Sequence, residues 1–340
     1  MRNRVITVFG GSGFVGRHVV SQLAAAGAVV RVAVRDTERA RFLRTQGTVG
    51  QVVPVPCNIA REGDVRAALD GADGAVNLVG ILYEKKAGDF RALHTTAAER
   101  IARVAAEAGV ERFVHMSALG ADPASPAEYA RTKAAGEKSV HMAFPGAMIV
   151  RPSVVFGPED GFFNKFAGMA RISPFLPVIV PDPPVVRRDA EGHWHLGLFG
   201  RGGPHFQPVY VGDVARAIVA GLDFQADPGR TAGRVFELGG PETLSMKTVM
   251  ERILATIERR RLLLPLPIGV AKIQAFFLEK LPKPVLTRDQ VALLRRDNVV
   301  SGHHPTLETL GIEPNATAGI IPGYLGRYRP PESRYSANPA

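Results

Sequence analysis

A glycine-rich turn between an apolar strand and a helix is the feature that most constrains the fold of this chain. Residues 10–16 read Gly-Gly-Ser-Gly-Phe-Val-Gly; they follow the apolar run Val5–Phe9 and precede apolar positions at helical spacing. Gly10, Gly13 and Gly16 allow, in that order, a tight turn, a close approach of backbone to a pyrophosphate and close helix-on-strand packing. The helix N-terminus offers N–H groups to phosphate oxygens. The segment therefore predicts a βα unit that binds a dinucleotide.

The end of the second predicted strand bears on which dinucleotide is bound. The β-branched run Val29–Val34 leads into Arg35 and Asp36, about 20 residues beyond the glycines, where an acidic side chain normally holds the ribose 2′-hydroxyl of NAD. Here Arg35 comes first, and Arg17 directly follows the last glycine. Two guanidinium groups suit a 2′-phosphate. We therefore predict NADP(H), while Asp36 leaves NAD(H) as the alternative and Arg35 is also compatible with a solvated strand end.

The first half of the chain alternates predicted strands with predicted helices. The strands are expected at residues 5–9, 29–34, 52–55, 75–79, 113–116 and 148–150. Two of the helices between them are expected at about residues 62–69 and at residues 94–108. This alternation predicts an α/β fold with a doubly wound parallel Rossmann sheet and right-handed crossovers. We expect a smaller, mainly helical C-terminal lobe after it.

The predicted domain boundaries follow from where the alternation stops. We expect a NAD(P)-binding domain over residues 1–225 with a lobe insertion at about 159–207, which is rich in Pro and Gly. In this region a hairpin is predicted near residues 193–199, and Asp213 is predicted to cap a following helix. The C-terminal lobe is expected over residues 226–328, and residues 329–340 are expected to be a disordered tail.

Composition places the chain among globular proteins and excludes several classes of function. Of 340 residues, 46% are hydrophobic and 22% charged, and the formal charge is +10. The basic residues are scattered without a recognition motif, so we expect no nucleic acid partner. No His or Cys residues have metal-ligand spacing, so we expect no metal. A single cysteine, Cys57, and the lack of a leader before the first strand predict a cytoplasmic location.

Three side chains form a candidate hydride-transfer set. Tyr129 and Lys133 lie four residues apart on one predicted helix face. A lysine so placed lowers the pKa of a neighbouring phenol and hydrogen-bonds a ribose, so Tyr129 would act as general acid or base. Ser117, at the end of the fifth strand, would polarise the same oxygen. The alternative is that Tyr129 only packs, Lys133 holds ribose without turnover and Ser117 bonds its own loop.

These residues resemble the short-chain dehydrogenase/reductase superfamily, on its extended and atypical side. The matching segments are residues 10–16, Asn77-Leu78-Val79-Gly80, Ser117, Tyr129 with Lys133, 151–158 and 207–215. The resemblance implies that Asn58 lies near the adenine. The residues we expect at the cofactor are Gly10, Ser12, Gly13, Phe14, Val15, Gly16, Arg17, Arg35, Asn58, Val79, Gly80, Lys133 and Pro152.

A closer resemblance extends over nearly the whole chain. Residues 128–138, 155–160 with Phe163 and Asn164, 286–291 and 310–312 are similar to the Rossmann-type accessory subunits of mitochondrial respiratory complex I, although 181–204 is longer than the eukaryotic loop. This resemblance implies a tightly held NADPH with a structural role, and partners in complex I or in quinone biosynthesis. The alternative is an active NADP-dependent oxidoreductase or epimerase acting on an apolar carbonyl or sugar-like substrate.

An apolar segment at residues 262–281 follows the basic run Arg259-Arg260-Arg261. Such a stripe normally forms the core of a lobe. The alternatives are a cover over an apolar substrate and a surface that docks on a membrane or membrane complex. On the last alternative, the protein lies peripherally on the cytoplasmic face of the inner membrane.

Overall fold

The computed structural model describes residues 1–180, 185–188, 194–282 and 284–331. The strands are β1 (Val5–Phe9), β2 (Val29–Val34), β3 (Val52–Pro56), β4 (Gly74–Asn77), β5 (Arg112–Met116), β6 (Met148–Pro152), β7 (Val155–Phe156), β8 (Phe175–Val180), β9 (Val185–Arg188), β10 (Trp194–Gly197), β11 (His205–Phe206), β12 (Val209–Tyr210), β13 (Val235–Leu238), β14 (Leu244–Ser245) and β15 (Leu262–Pro267). The α-helices are α1 (Phe14–Ala25), α2 (Glu62–Leu69), α3 (Ala97–Glu107), α4 (Glu128–Ala143), α5 (Phe163–Ile172), α6 (Val211–Gly221), α7 (Met246–Thr256), α8 (Ile268–Leu278), α9 (Arg288–Leu293) and α10 (Thr317–Leu325).

A parallel sheet of seven strands confirms the predicted fold class. Its order is β13-β6-β5-β4-β1-β2-β3, so the chain winds outward from β1 in one direction and from β4 in the other. Val8 of β1 lies beside Val32 of β2 on one side and Val76 of β4 on the other. These β-branched side chains are buried because helices cover both faces of a doubly wound sheet.

The two faces of the sheet are covered by different helices. Helices α1 and α6 pack together on one face. On the other face, α2, α3 and α4 bury a cluster that includes Phe9, Val65, Ile101, Phe113 and Val140. The strand order reverses between β1 and β4, and α1 begins shortly after the end of β1. Open α/β sheets bind ligands at such a reversal.

By contacts, the chain divides into two compact units. The sheet unit comprises Met1–Pro152, Val211–Leu238 and Val300–Pro314, and the second unit comprises Ser153–Tyr210, Gly239–Val299 and Asn315–Ala340.

The predicted boundaries at residues 159–207 and 226–328 differ from this division by contacts. Residues 226–238 belong to the sheet unit because β13 pairs with β6. Residues 300–314 join it because Ser301 N donates to the Glu237 carboxylate at 2.5 Å and Glu237 N donates to the Pro305 carbonyl at 2.9 Å. Of the predicted tail, Arg329 is ordered, with Nε 3.1 Å from the Thr256 carbonyl oxygen, and 332–340 lie outside the described residues.

The second unit is built from short strand pairs and helices around its own core. Strands β8 and β15 pair in parallel, and β9 and β10 pair antiparallel. The β9–β10 pair lies close to the hairpin predicted near residues 193–199, of which residue 193 lies outside the described residues. The core includes Phe163, Leu176, Met250, Ile253 and Leu325. None of the helices in the described part of the chain is long and apolar enough to cross a membrane.

Two local predictions are wrong at helix starts. Helix α6 begins at Val211, so Asp213 lies within its first turn, where it is buried and pairs with Arg216 at 2.6 Å rather than capping the helix. The helix predicted from residue 94 begins instead as a π-helical turn, Arg91–Thr96, which passes into α3.

Candidate functional site

The glycine turn brings the start of α1 against the carboxyl ends of β1 and β4. Gly10 has φ +80°, and a Cβ there would lie 3.1 Å from the carbonyl carbon of Leu78. A Cβ on Gly16 would lie 2.3 Å from the carbonyl oxygen of Gly10, so the helix and the turn are in direct backbone contact. Gly13 is the N-cap and makes no side-chain capping bond. The first-turn N–H groups of α1 are therefore open to an anion.

The charged groups after β2 have different local roles. Asp36 accepts from the backbone N–H groups of Glu38 at 3.1 Å and Arg39 at 3.2 Å, and its other oxygen lies 3.2 Å from Arg39 Nε. The Arg17 guanidinium stacks 5.1 Å from the centroid of Phe42. Arg35 is exposed. The carboxylate of Asp36 is thus engaged by its own loop, and the exposed Arg35 lies between it and the end of β2.

Asn58 follows β3 and organises a short turn. Its side-chain oxygen accepts from Ala60 N at 3.1 Å, and its backbone N–H donates to Asp64 at 2.9 Å. Cys57, next to it, is buried, and burial raises the pKa of its thiol to about 11. Asn58 therefore follows β3 at the carboxyl edge of the sheet, where the superfamily resemblance implies the adenine.

Lys133 is a buried amine at the centre of the site. Its Nζ donates to the Met116 carbonyl oxygen at 3.2 Å, and that carbonyl is its one hydrogen-bond partner among the residues the structure describes. Burial lowers the pKa of Lys133 to about 8, partly opposed by the charge of Glu137. A Cβ on Gly80 would lie 3.3 Å from this Nζ. Lys133 and the Val79–Gly80 backbone are therefore neighbours, as the cofactor prediction requires.

The remaining predicted residues lie near the ends of β5 and β6. The Oγ of Ser117 is buried and has no hydrogen-bond partner in the described part of the chain. Its backbone N–H donates to Val150 O at 2.8 Å, and Pro152 O accepts from Leu119 N at 3.0 Å. Tyr129 is half-buried on the same helix as Lys133.

A histidine that sequence reasoning did not assign to the site holds its surroundings in place. His94 Nε2 accepts from Ile81 N at 3.1 Å, and Nδ1 lies 3.1 Å from Thr132 Oγ1. Its ring meets Tyr129 edge-on, with centroids 5.3 Å apart. Burial, with the nearby charge of Lys133, lowers the pKa of His94 to about 3, so the ring is neutral. No sequence pattern identified this role, because it depends on a contact between α4 and the π-helical turn.

A second buried histidine lies on β5. His115 Nδ1 is 3.2 Å from Asn77 Nδ2, so it accepts that amide N–H, and Asn77 Oδ1 accepts from Val79 N at 3.1 Å. Its Nε2 has no partner among the described residues. Burial lowers the pKa of His115 to about 3. Asn77 therefore links the β5 core to the loop that passes Lys133.

The donor set fits a dinucleotide better than it fits a metal. The glycine turn forms a cradle that a Cβ would fill, and Lys133 and Ser117 offer buried polar atoms with unused hydrogen-bonding capacity. The described part of the chain contains no group of three or more His, Cys, Asp or Glu residues that could hold a metal ion. A nicotinamide dinucleotide bound here would supply a hydride donor or acceptor.

Comparison with known proteins agrees with this geometry. Residues 6–239 match the model of the NAD dependent epimerase/dehydratase family. The chain is 34% identical to NADH dehydrogenase (ubiquinone) 1 alpha subcomplex subunit 9, mitochondrial, of Arabidopsis thaliana, over 96% of this chain and 78% of that protein. It is 32% identical to the mitochondrial NADH-ubiquinone oxidoreductase 40 kDa subunit of Neurospora crassa, over 95% of this chain and 79% of that protein.

A solved structure shows the same fold at low sequence identity. The dTDP-glucose 4,6-dehydratase of Streptomyces venezuelae, with NAD and TYD bound, aligns with a TM-score of 0.68 and 19% identity over 95% of this chain and 96% of that one. The predicted resemblance to the dehydrogenase superfamily and to the complex I accessory subunits is confirmed. The chain binds a nicotinamide cofactor and belongs to the NAD-dependent epimerase/dehydratase family.

Proposed function

We propose that this protein holds NADP(H) as a long-lived structural group and works as an accessory component of respiratory complex I. The observation that carries the structural part is Lys133, a buried amine with one carbonyl partner among the residues that the structure describes. A buried charge with few hydrogen bonds costs stability. A ribose diol beside Nζ and a polar atom beside Ser117 Oγ would supply the partners that are lacking, so binding stabilises the folded chain.

The proposed contacts follow the geometry of each group. The pyrophosphate binds the turn of Gly10, Ser12 and Gly13 and the first-turn amides of α1, which belong to Phe14, Val15 and Gly16. The nicotinamide ribose binds Lys133, and the adenine lies near Asn58. Val79, Gly80 and Pro152 complete the nicotinamide end. These assignments rest on the positions of the residues at the carboxyl edge of one sheet.

The preference for NADP(H) over NAD(H) rests on Asp36. A carboxylate that holds the 2′- and 3′-hydroxyls of NAD must have oxygens available to them. Both oxygens of Asp36 are engaged by residues 38 and 39. We propose that Arg17 and Arg35 receive the 2′-phosphate; the Arg17 guanidinium stacks on Phe42, which supports this role by restricting its side chain.

The partner proposal rests on the two curated relatives, each of which covers nearly the whole chain at more than 30% identity. Their names place them in NADH dehydrogenase and NADH-ubiquinone oxidoreductase. We therefore place this protein with complex I, or with proteins of quinone metabolism, on the cytoplasmic side of the inner membrane. The candidate set of Ser117, Tyr129 and Lys133 is available for hydride transfer, but the proposal assigns Lys133 to cofactor retention.

Two measurements on the full chain test this proposal. Membranes solubilised from cells with a tagged copy are run on a native gel and stained for NADH dehydrogenase activity; co-migration with the active band is expected. The purified protein loaded with NADPH is then mixed with quinones, ketones and nucleotide sugars while absorbance of the reduced nicotinamide is followed. We expect no oxidation. Sustained oxidation of NADPH, lost in Tyr129→Phe, would instead establish an oxidoreductase.

A further inference from the structure

Helix α8 has its apolar side facing outward. Its fully buried residues are Ala271 and Ala275, both 0% exposed, which form one narrow stripe. At about 100° per residue, the opposite side of the helix carries Val270, Ile273 and Phe277. Ile273 and Phe277 are each 64% exposed. A core helix shows the reverse pattern, so the prediction that residues 262–281 form the core of the lobe is wrong for this helix.

Further apolar side chains are exposed on this helix and on the strand before it. Phe276 packs edge-on against Phe277, with ring centroids 5.3 Å apart, and is itself exposed. In the strand that precedes α8, Leu262 is exposed and lies in register beside exposed Phe175 of β8. We call Val270, Ile273, Phe276 and Phe277 the α8 surface. Contiguous exposed apolar side chains of this kind mark a place of contact with another molecule or a membrane.

The charges around the α8 surface have one dominant sign. Residues 259–288 contain seven Lys or Arg residues and one Glu. The Lys280 Nζ lies 4.6 Å from the centroid of Phe276. The Arg288 guanidinium carbon lies 5.2 Å from the same centroid and is paired with Glu279 at 2.7 Å. Lys272 and Arg260 are exposed. Cations therefore border the apolar side chains directly.

We propose that the α8 surface binds the face of an anionic phospholipid bilayer. Phe277, Ile273 and Val270 enter the boundary between headgroups and acyl chains, while Lys272, Lys280 and Arg260 meet lipid phosphates. Apolar burial and attraction to anionic lipid act together in this arrangement, which is how peripheral helices bind membranes.

The charge pattern selects the bilayer over a second copy of the chain. Two copies that met through α8 in a symmetric dimer would bring the same cations close to one another, because a two-fold interface places identical patches face to face. Like charges at an interface oppose association. An anionic bilayer supplies the opposite charge and an apolar layer at once. This inference is independent of the bound nucleotide and of any partner protein.

Vesicle flotation with the full-length purified protein tests the inference. The probes are vesicles of phosphatidylcholine alone and vesicles that also contain phosphatidylglycerol. We expect flotation with the anionic vesicles at low salt and a marked decrease at high salt. The double variant Ile273→Ser/Phe277→Ser should bind anionic vesicles at least about tenfold more weakly, because it removes two apolar anchors. Lys272→Glu/Lys280→Glu should lose the preference for anionic vesicles.

Matched controls distinguish binding through the α8 surface from binding through any exposed apolar side chain. Met142→Ser changes an apolar side chain of similar exposure, 73%, on α4 of the sheet unit, and should float like the unaltered protein. Nucleotide content is measured for every variant and should be unchanged. A loss of membrane binding can then be distinguished from a failure of the proposed nucleotide-binding function. A Phe277→Trp variant should show a blue-shifted emission on anionic vesicles.

Three outcomes would overturn the proposal. The first is that the unaltered protein does not float with anionic vesicles at low salt. The second is that the Ile273→Ser/Phe277→Ser variant floats as well as the unaltered protein. The third is that light scattering finds a dimer that Phe277→Glu converts to a monomer in the absence of lipid, which would mean that a second copy covers the surface.

Discussion

The ammonium of Lys133 donates a 3.2 Å hydrogen bond to the carbonyl oxygen of Met116, at the carboxyl end of β5. This contact fixes the amine beside the Gly80 backbone and one residue before Ser117. Because both the amine and the Ser117 hydroxyl are buried, the folded chain carries polar groups whose hydrogen bonds are incomplete among the described residues. The proposed cofactor site is therefore preformed, and we expect a bound ribose to complete its hydrogen bonds.

Replacement of that amine should separate nucleotide binding from folding. Lys133→Met keeps the length of the side chain and removes a buried charge, so we expect the thermal stability of the nucleotide-depleted protein to stay the same or rise. NADPH affinity should fall about 10- to 100-fold, the value of a charge-assisted hydrogen bond. Calorimetry and thermal melts with and without NADPH measure both. Lys138→Met, an exposed site on α4, is the control. Unchanged NADPH affinity in Lys133→Met would refute the assignment.

The 2′-phosphate assignment predicts a change in cofactor preference. Arg35→Ala should lower NADPH affinity about tenfold or more and leave NADH affinity nearly unchanged, because a phosphate–guanidinium contact is lost. Arg91→Ala removes one exposed arginine of the same unit, far along the chain from β2, and should change neither. Titrations with both nucleotides give the ratio. If the NADPH to NADH ratio is the same in Arg35→Ala as in the unaltered protein, Arg35 is not the phosphate ligand.

Two glycine substitutions should act in opposite directions. Gly16→Ala places a Cβ 2.3 Å from the Gly10 carbonyl oxygen and 2.6 Å from the Gly11 Cα, so backbone must move and we expect a loss of about 1–3 kcal/mol or more. Gly63→Ala, within α2, meets nothing within 4 Å and should stabilise the chain by about 0.5–1 kcal/mol. Chemical denaturation measures both; equal effects would contradict the described packing of α1 on the turn.

The buried histidines predict a loss of stability in mild acid. The pKa of His94 is lowered from 6.5 to about 3, so between these values the unfolded chain binds a proton that the folded chain does not. Stability is therefore unaffected by this group above about pH 6.5 and falls as pH decreases below it. The expected slope is about 1.4 kcal/mol per pH unit. Denaturation at pH 7, 6 and 5 should show a shallower slope for His94→Gln, and an unchanged slope would show that His94 is accessible to protons when folded.

The sequence predicted the parts of the fold that depend on local pattern. Apolar periodicity correctly placed the glycine turn, β1, β2 and α2. These elements are predictable because the apolar spacing of a strand or helix, and the glycines at its end, lie within a few residues of one another. Long-range pairing could not be seen in this way. Strand β13 pairs with β6, although its first residue, Val235, lies 83 positions after the last residue of β6, Pro152. No local pattern indicates that partner.

The candidate cofactor site could likewise be predicted only in part from the sequence. Lys133, Ser117 and the glycines were identifiable because a residue type at a given spacing carries the chemistry. The engagement of Asp36 by its own loop and the contact of His94 with Ile81 depend on backbone geometry that the sequence does not display. The sequence gives an outward-facing surface at residues 262–281 only as an alternative to a core, because an apolar helix looks the same in sequence whether a core or a membrane covers it.

The most direct measurement of the central claim is mass spectrometry of the small molecules released when the purified full-length protein is denatured. The account predicts NADP⁺ or NADPH in near-equal molar amount to the protein after gel filtration, and its loss from Lys133→Met. A protein that releases NAD(H) instead, or that releases no nucleotide and does not bind NADPH when it is added, would contradict the account.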